Sequence, residues 1–443
     1  MHSRLFLGFA LVLYIATRCF MFIQTEVVAP TTGDAGHYYI IAQNLASHNI
    51  YADSPINIQT NPDLATSPPT AAASSPPSAS ATWRPPLWPF VLSVWMELTS
   101  NPYWQMILKL VFEGLLLGFL YLMLQTIHFG TISIGILLCL LAIEPHYLKY
   151  SLTFLSENLT ALLLVLMTGS FLYTVMANSR RATWCCAVFG GLAILSHPVV
   201  LPFVFLMVLV SIAHMFKIKR RQVALLSFVL FSLVVLSWPL RNQLIFGQGL
   251  FMTASQGAVF SKGWNDEVLA KHTNTQGDLL DEGLNLSRYP DLLSRFDADP
   301  IQNSSIMQEA TLRYMGDTDL HLLVKMALWK WYCGINPIPQ TLKPGVLEAM
   351  GSIFRVFYLG GLVLGVYALV TNKFESNTLP YWSAWILIMV FIAISITSVL
   401  LYTGIRFNSV YGIVCMIGAL FIILGLLKHN RNALHSSYKI LFF

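Results

Sequence analysis

Charged residues are scarce in this chain: Asp, Glu, Lys and Arg make up only 11% of its 443 residues, while 56% are hydrophobic. A water-soluble domain of this length would have to bury nearly every residue to reach that balance. The composition therefore excludes a soluble globular protein and predicts a polytopic membrane protein. The formal net charge of +5 does not indicate a nucleic-acid partner, because the basic residues lie in short loops, where bilayer orientation requires them.

Motifs for nucleotides, metals and disulfides are also missing. The sequence has no P-loop, no dinucleotide fingerprint, no HExxH and no serine nucleophile elbow. Its six cysteines lie almost all within apolar segments and show no paired spacing, which favours buried structural thiols over a disulfide framework or a zinc site. Without a nucleotide site, a nucleotide-activated substrate is not expected. We predict no obligatory cofactor and leave a divalent metal open.

Ten apolar runs approach the ~20 residues that a membrane-spanning helix needs. They are Leu5–Ile23, Tyr103–Ile127, Ile132–Tyr147, Asn158–Met176, Trp184–Leu195, Val199–Phe216, Val223–Leu240, Met350–Val370, Tyr381–Tyr402 and Phe407–Leu427. The first run has no small-residue cleavage site, so we interpret it as a retained anchor and not as a signal peptide. We expect one all-α integral membrane domain over residues 1–443, with about ten transmembrane helices.

Lysines and arginines in short loops predict the orientation of these helices. Four basic groups fall on one side if ten helices alternate: Arg180-Arg181, residues 217–221, Lys373 and residues 428–431. That side is predicted to be cytoplasmic, and the other side receives two long loops, Gln24–Pro102 and Arg241–Gly345. We expect a bacterial plasma membrane with the two long loops facing outside, or the endoplasmic reticulum membrane if the source is eukaryotic.

The first long loop contains two contrasting segments. Asn61–Thr82 is a low-complexity run of Pro, Ser, Ala and Thr and is predicted to be a flexible insertion. The apolar run Leu87–Leu98 is too short to span a bilayer, so we interpret it as an interfacial or re-entrant helix with Trp83, Trp88 and Trp95 at headgroup depth. Short juxtamembrane helices of this kind are expected in both long loops.

Asp34 and Arg84 carry opposite charges within the first loop. Asp34 lies between Gly33 and Gly36 and precedes residues with helical spacing, which predicts a sharp bend and a carboxylate near a helix N-terminus. A simple helix cap is the alternative. Arg84 precedes two prolines, and its planar guanidinium suits bidentate phosphate binding, although an anchor at the interface is also open. An acid and a base held together at a bilayer surface suit chemistry on a lipid-linked phosphate.

Two further residues, Glu157 and His197, lie next to apolar runs on the same predicted side. Glu157 opens the run Asn158–Met176, where a carboxylate is costly unless it caps, pairs or lines a wet cavity. A helix cap and an active-site acid are both open for it. His197 precedes Pro198 and is interpreted either as a contact to phosphate or sugar hydroxyls or as an ordinary interfacial histidine.

Three basic residues complete the candidates for binding an anionic headgroup. Arg241 and Lys262 follow the run Val223–Leu240 and are placed to steer such a headgroup, while Arg241 has an interfacial anchor as its alternative. Arg406 precedes the last apolar run and is a candidate for the phosphate or a partner for a carboxylate.

Five motifs in this order resemble those of the GT-C membrane glycosyltransferases that use polyprenyl-phosphate sugars. The nearest likeness is to the bacterial branch related to protein O-mannosyltransferases and the lipid A aminoarabinose transferase. The motifs are Gly33-Asp34-Ala35-Gly36-His37-Tyr38-Tyr39 with Ala42 and Leu45, Arg84-Pro85-Pro86-Leu87-Trp88-Pro89, Leu155-Ser156-Glu157, Gly190-Gly191-Leu192-Ala193-Ile194-Leu195-Ser196-His197-Pro198, and Trp238-Pro239 with Arg241-Asn242 and Phe246-Gly247. In this chain Ala35 stands where many members have a second acid, and His197 where they have Arg or Lys.

The resemblance implies a GT-C-like bundle and an inverting transfer of a sugar from a polyprenyl (or dolichyl) phosphate to an acceptor hydroxyl on the extracytoplasmic side. The implied partners are the lipid-linked sugar, a lipid, glycan or protein acceptor, and membrane lipids, with no nucleic acid. The implied site residues are Asp34 as general base and Glu157 as an orienting acid; Arg84, His197, Arg241, Lys262 and Arg406 for the donor phosphate; and His37, Tyr38 and Tyr39 for the acceptor pocket.

Two hypotheses from other functional classes are retained. A lipid or polysaccharide transporter or flippase would place charged residues along a path at the bilayer midplane. Here we expect the helices to be nearly free of charge and the polar residues to gather on one side, which favours surface chemistry over transport. A catalytically inactive GT-C relative that serves as a structural subunit also fits the departures at Ala35 and His197.

Overall fold

The fold is known from a computed structural model that describes residues 2–25, 27–52, 83–126, 130–247, 250–273, 277–296, 299–338, 345–376, 378–404 and 408–441. Over these residues the chain forms helices and no β-strand, which confirms the all-α prediction. In chain order the α-helices are α1 (His2–Gln24), α2 (Gly33–His48), α3 (Leu87–Leu98), α4 (Pro102–Thr126), α5 (Thr131–Ile143), α6 (Pro145–Ser151), α7 (Glu157–Ala177), α8 (Arg180–Ser196), α9 (Leu201–Lys217), α10 (Arg221–Phe246), α11 (Gln256–Gly263), α12 (Val268–Lys271), α13 (Leu284–Arg288), α14 (Pro290–Leu293), α15 (Pro300–Asp317), α16 (Leu320–Ile335), α17 (Val346–Val370), α18 (Leu379–Leu400) and α19 (Gly412–Leu441).

Within the described residues, eight helices are long and apolar enough to cross a membrane. The number is nine if α5 and α6, which meet at an angle of 65°, form one broken span. The remaining predicted segment, Trp184–Leu195, lies in α8, which has 17 residues. At 1.5 Å per residue α8 is about 25 Å long, slightly less than a hydrocarbon core of about 30 Å. The expected number of about ten is therefore reached only when α8 is included.

The centre of the bundle is α7, which is apolar on every side and buried, as expected for a helix surrounded by others. Glycines of α8 allow the neighbouring helices to approach closely. A Cβ on Gly190 would lie 2.7 Å from Val204 of α9, and one on Gly191 would lie 2.7 Å from Val234 of α10. These two glycines therefore allow three helices to pack closely beside His197, which follows α8.

Two of the three tryptophans that the sequence places at headgroup depth, Trp88 and Trp95 of α3, are buried in protein. Trp88 is 1% exposed and Trp95 is 5% exposed, and both belong to the main hydrophobic core. The Trp88 indole donates a 3.0 Å hydrogen bond to the carbonyl oxygen of Phe154. The helix is short, as predicted, but its aromatic face packs on protein because the bundle offers these rings a buried apolar surface and a hydrogen-bond acceptor.

The expectation that the spanning helices are nearly free of charge is wrong. Arg18 of α1 and Glu113 of α4 form a buried ion pair with an Nε–Oε1 distance of 2.7 Å. Arg18 also donates to the carbonyl oxygens of Leu141 and Ala142 at 3.3 and 3.1 Å, and the Tyr14 hydroxyl donates to Glu113. These partners offset the lost hydration of two charges that a hydropathy profile averages away.

The cysteines have free thiols. Cys186, Cys333 and Cys415 are buried, as predicted, whereas Cys19 and Cys185 are exposed on helix surfaces. The prediction of burial is wrong for these two because a thiol on the outer face of an apolar helix has no need of a protein neighbour.

The second long loop forms the short helices α11 to α16, which dock on the end of α18. The Trp264 indole donates to the carbonyl oxygen of Leu400 at 2.9 Å, and Nζ of Lys330 donates to that of Leu401 at 2.9 Å. A Cβ on Gly263 would collide with the same Leu401 carbonyl. This close fit holds the second loop against the end of α18.

Candidate active site

Asp34 and Arg84 form an ion pair between Oδ1 and Nη2. The side chain of Arg84 is 14% exposed and that of Asp34 is 32% exposed. His37 contacts the same guanidinium, and its Nδ1 accepts from Nη2 at 2.9 Å and from Nε at 3.2 Å. Because a guanidinium only donates, Nδ1 of His37 is the acceptor in both hydrogen bonds. Arg84 is therefore part of a polar cluster and not a lipid anchor.

The start of α2 places Asp34 beside Arg84. Gly33 has a φ of +64°, in the left-handed region that favours glycine. A Cβ on Gly36 would lie 2.7 Å from the backbone carbon of Thr31. The N-cap position belongs to Thr32, so Asp34 is in the first turn and is not the cap. The bend predicted from the two glycines is confirmed, and the helix dipole favours the carboxylate there.

The backbone of Arg84 contacts an aromatic cluster formed by Tyr51 and Trp238. Its backbone carbonyl accepts a 2.9 Å hydrogen bond from the Tyr51 hydroxyl. The Tyr51 ring contacts Trp238, with centroids 4.9 Å apart. The guanidinium of Arg241 lies 4.6 Å from the Trp238 ring and 5.5 Å from the Tyr51 ring. Arg241 thus supports the backbone of Arg84 through Tyr51, and its predicted contact with the phosphate stays a prediction.

A cavity of about 350 Å³ lies next to the ion pair. Its volume is at the lower end of the ~300–1,000 Å³ typical of small-molecule pockets. Five of the predicted site residues are in its walls: Asp34, Tyr38, Arg84, His197 and Lys262. These residues come from the first loop, from the turn after α8 and from α11, so the structure brings together acids and bases that are far apart in the sequence.

The other predicted site residues lie elsewhere. Glu157 is 3% exposed at the start of α7, after the N-cap Ser156, and is not among the described residues that form the cavity walls. Tyr39 packs edge-on against Phe154 with centroids 5.3 Å apart, and burial raises the pKa of its hydroxyl. Arg406 lies outside the described residues.

Some cavity residues were not predicted from the sequence. The second loop contributes a polar wall of Thr253, Ser255, Gln256 and Glu282, and the end of α18 contributes Tyr402. Glu282 pairs with Lys262 at 3.3 Å. Only the cluster Ser255-Gln256 at the start of α11 is a recognisable helix-start signal. No spacing in the sequence connects Glu282 or Tyr402 to the first loop.

A preformed metal site is not found. Among the residues that the structure describes, no group of three or more His, Cys, Asp or Glu side chains is placed to hold a metal ion. The charges at the cavity are instead arranged in two pairs, Asp34 with Arg84 and Glu282 with Lys262. One pair comes from each long loop, so a ligand in the cavity would contact both loops.

Comparison with known proteins gives one similarity. No protein-family model and no curated protein matches the chain. Among solved structures, the chain is similar to ArnT from Cupriavidus metallidurans in its apo state, with 14% sequence identity over 94% of this chain and 76% of that chain. The TM-score is 0.35. Because that value is too low to establish a shared fold, the function is inferred from the geometry of the cavity.

Proposed function

We propose that this protein is an inverting membrane glycosyltransferase that moves a sugar from a polyprenyl (or dolichyl) phosphate to an acceptor hydroxyl. The ion pair between Asp34 and Arg84 in the cavity wall is the observation that supports this most strongly. A carboxylate and a guanidinium lie beside one space large enough for a sugar, and these groups suit proton acceptance and phosphate binding. The GT-C-like motifs of the sequence favour the same chemistry.

The donor phosphate would bind between Arg84 and Lys262, with His197 in the same wall. A phosphate is already a good leaving group, so it needs neutralisation of its charge more than protonation. A guanidinium has five N–H donors, which lets Arg84 bind phosphate while it still donates to His37. Binding of phosphate would draw Arg84 away from Asp34 and leave that carboxylate for the acceptor.

Asp34 would act as general base on the acceptor hydroxyl, which attacks the anomeric carbon from the face opposite the phosphate. One carboxylate suffices for this inverting displacement, whereas a retaining reaction needs a second one as nucleophile, about 5 Å from the first. Glu282 is engaged with Lys262. The role of Glu157 in orienting the acceptor or Asp34 stays a prediction, and from its buried position it would act through the packing of α7.

The acceptor would be selected by the second loop. The polar residues Thr253, Ser255 and Gln256 lie in the part of the cavity wall that this loop contributes. Hydroxyl and amide groups of this kind suit the hydroxyls of a lipid, glycan or protein acceptor. The basic short loops favour a position of this site outside the plasma membrane, or in the lumen of the endoplasmic reticulum in a eukaryote.

Transfer of label tests this function. Membranes that contain the protein are incubated with a set of radiolabelled polyprenyl-phosphate sugars, and loss of label from the lipid to a membrane acceptor is measured. One donor should lose its label with the wild-type protein and not with Asp34→Asn. The matched control is Glu97→Gln, which removes an exposed carboxylate from α3. Full transfer by Asp34→Asn would remove Asp34 from the mechanism.

A transporter or flippase is the second candidate, because Arg18 and Glu113 line an apolar groove of about 810 Å³ between α1 and α4. Charged residues inside a membrane often mark a transport path. Here the bonds of Arg18 to Glu113 and to two backbone carbonyls hold the pair in place. In sealed vesicles a transporter would move the labelled lipid across the bilayer with its sugar still attached, and this result would replace the transferase proposal.

A further inference from the structure

Lys109 of α4 is a lysine buried inside the bundle, where it is 1% exposed. Its ammonium donates to the carbonyl oxygens of Tyr150 at 2.9 Å and Leu155 at 3.1 Å, and also to that of Thr153. An ammonium carries three protons, and burying it is costly unless they are bonded. The three carbonyls meet that need and belong to one corner of the chain, residues 150–155, between α6 and α7.

This 150–155 corner touches α2, which contains Asp34, and α3, which begins three residues after Arg84. The Phe154 ring packs edge-on against Tyr39 of α2, with centroids 5.3 Å apart. The carbonyl oxygen of Phe154 accepts a 3.0 Å hydrogen bond from the Trp88 indole of α3. Lys109 itself lies 5.5 Å from the Trp88 ring. Asp34 lies in the first turn of α2, and Arg84 lies just before the start of α3.

We propose that Lys109 is a positioning residue: it fixes the 150–155 corner, and the corner sets the spacing between α2 and α3 that keeps Asp34 beside Arg84. The claim that Lys109 sets the spacing of α2 and α3 does not depend on the proposed function. The claim that this spacing matters for sugar transfer rests on that function. Lys109 has no place among the described residues of the cavity wall, so it acts through Phe154 and not on a substrate. Without the ammonium, three carbonyls would turn toward other donors and the corner would lose its shape.

A distance measurement tests the geometry without any assumption about the reaction. Spin labels are attached at Gln43→Cys on α2 and Val94→Cys on α3, both exposed positions, in a protein whose exposed Cys19 and Cys185 are replaced by Ser. Pulsed electron resonance on the detergent-purified protein then gives the distance distribution between α2 and α3. Lys109→Met should broaden and shift this distribution, while Lys109→Arg, which keeps charge and donors, should stay close to wild type.

The matched control is Lys149→Met, which removes an exposed lysine from α6, next to the same corner. It should leave the distribution unchanged. An unchanged distribution in Lys109→Met would overturn the proposal. If Lys109→Met does not accumulate in membranes, Lys109→Gln is used in its place. It should broaden the distance distribution less than Lys109→Met, because its amide keeps two N–H donors. An unchanged distribution in Lys109→Gln would overturn the proposal equally.

Activity gives a second readout once a donor is found. A shift of about 1 Å in a catalytic group costs about 10²-fold in rate, so Lys109→Met should lower kcat by about that factor, and Lys109→Arg should recover most of it. If no donor is found for the wild-type protein, the proposed function fails while the distance result still stands. A broadened distribution with unchanged kcat would overturn the role of Lys109 in catalysis.

Discussion

The hydroxyl of Tyr51 donates a 2.9 Å hydrogen bond to the backbone carbonyl of Arg84. These residues flank residues 53–82, which contain the low-complexity run Asn61–Thr82 and lie outside the described residues. The hydrogen bond joins the two ends of that stretch beside the cavity. We therefore expect the site to depend on this hydrogen bond more than on the number of residues between its two ends.

Removal of residues 61–82 should leave transfer within about twofold of wild type, because the cost of closing a loop changes only slowly with its length. Tyr51→Phe removes this hydrogen bond and keeps the ring. It should lower the free energy of local unfolding around Arg84 by about 1 kcal/mol. The transfer rate measures the effect of the deletion, and the rate of proteolysis of the first loop measures the effect of Tyr51→Phe. Loss of activity on deletion together with an unaffected Tyr51→Phe would contradict this account.

Gly36→Ala should move the start of α2, since its new methyl group would lie 2.7 Å from the Thr31 backbone. Backbone cannot yield as a flexible side chain does, so we expect a cost of about 1–3 kcal/mol and a loss of transfer. Gly8→Ala is the control, because nothing lies within 4 Å of a Cβ there. Thermal unfolding of the two purified variants measures the difference, and equal midpoints would argue against the tight bend.

The docking of the second loop should strengthen as pH rises from 6.5 to 8.5. Burial lowers the pKa of Lys330 from its ordinary 10.5 to about 6. Between these values the undocked state binds more protons than the docked one, so stability increases with pH. The pKa of His272 is lowered to about 3, chiefly by burial, so His272 is neutral in both states across most of this window.

Hydrogen exchange of the α16 amides, corrected for intrinsic rates, measures this pH dependence. Lys330→Met should abolish it, because the buried position no longer carries a titrating group. Lys325→Met, which removes an exposed lysine from the same helix, should retain it. The same slope in all three proteins would show that Lys330 does not control docking.

The sequence predicts the fold class and part of the site for a physical reason: both are encoded locally. Apolar runs near the length of a bilayer predict spanning helices, and the pattern around Gly33 and Asp34 predicts a bend at a helix start. Arg84 is recognisable because two prolines follow it. These features need no knowledge of distant residues.

What the sequence does not predict depends on tertiary packing. The pairing of Arg18 with Glu113 is invisible in a hydropathy profile that averages over each helix. Glu282 reaches the cavity only because the second loop docks on α18. The packing of Arg241 against aromatic rings is equally hidden, since Tyr51 and Trp238 meet only in the folded protein.

Binding of polyprenyl phosphate to the purified protein tests most directly whether Arg84 binds the phosphate while Asp34 does not. Loss of hydrogen bonds to a charged group costs about 1.5–3 kcal/mol, so Arg84→Gln should weaken binding by about 10- to 150-fold, while Arg181→Gln, an exposed control, should not. Asp34→Asn should bind as well as wild type or better, because it removes the carboxylate that competes for Arg84. Unchanged binding by Arg84→Gln would contradict the account.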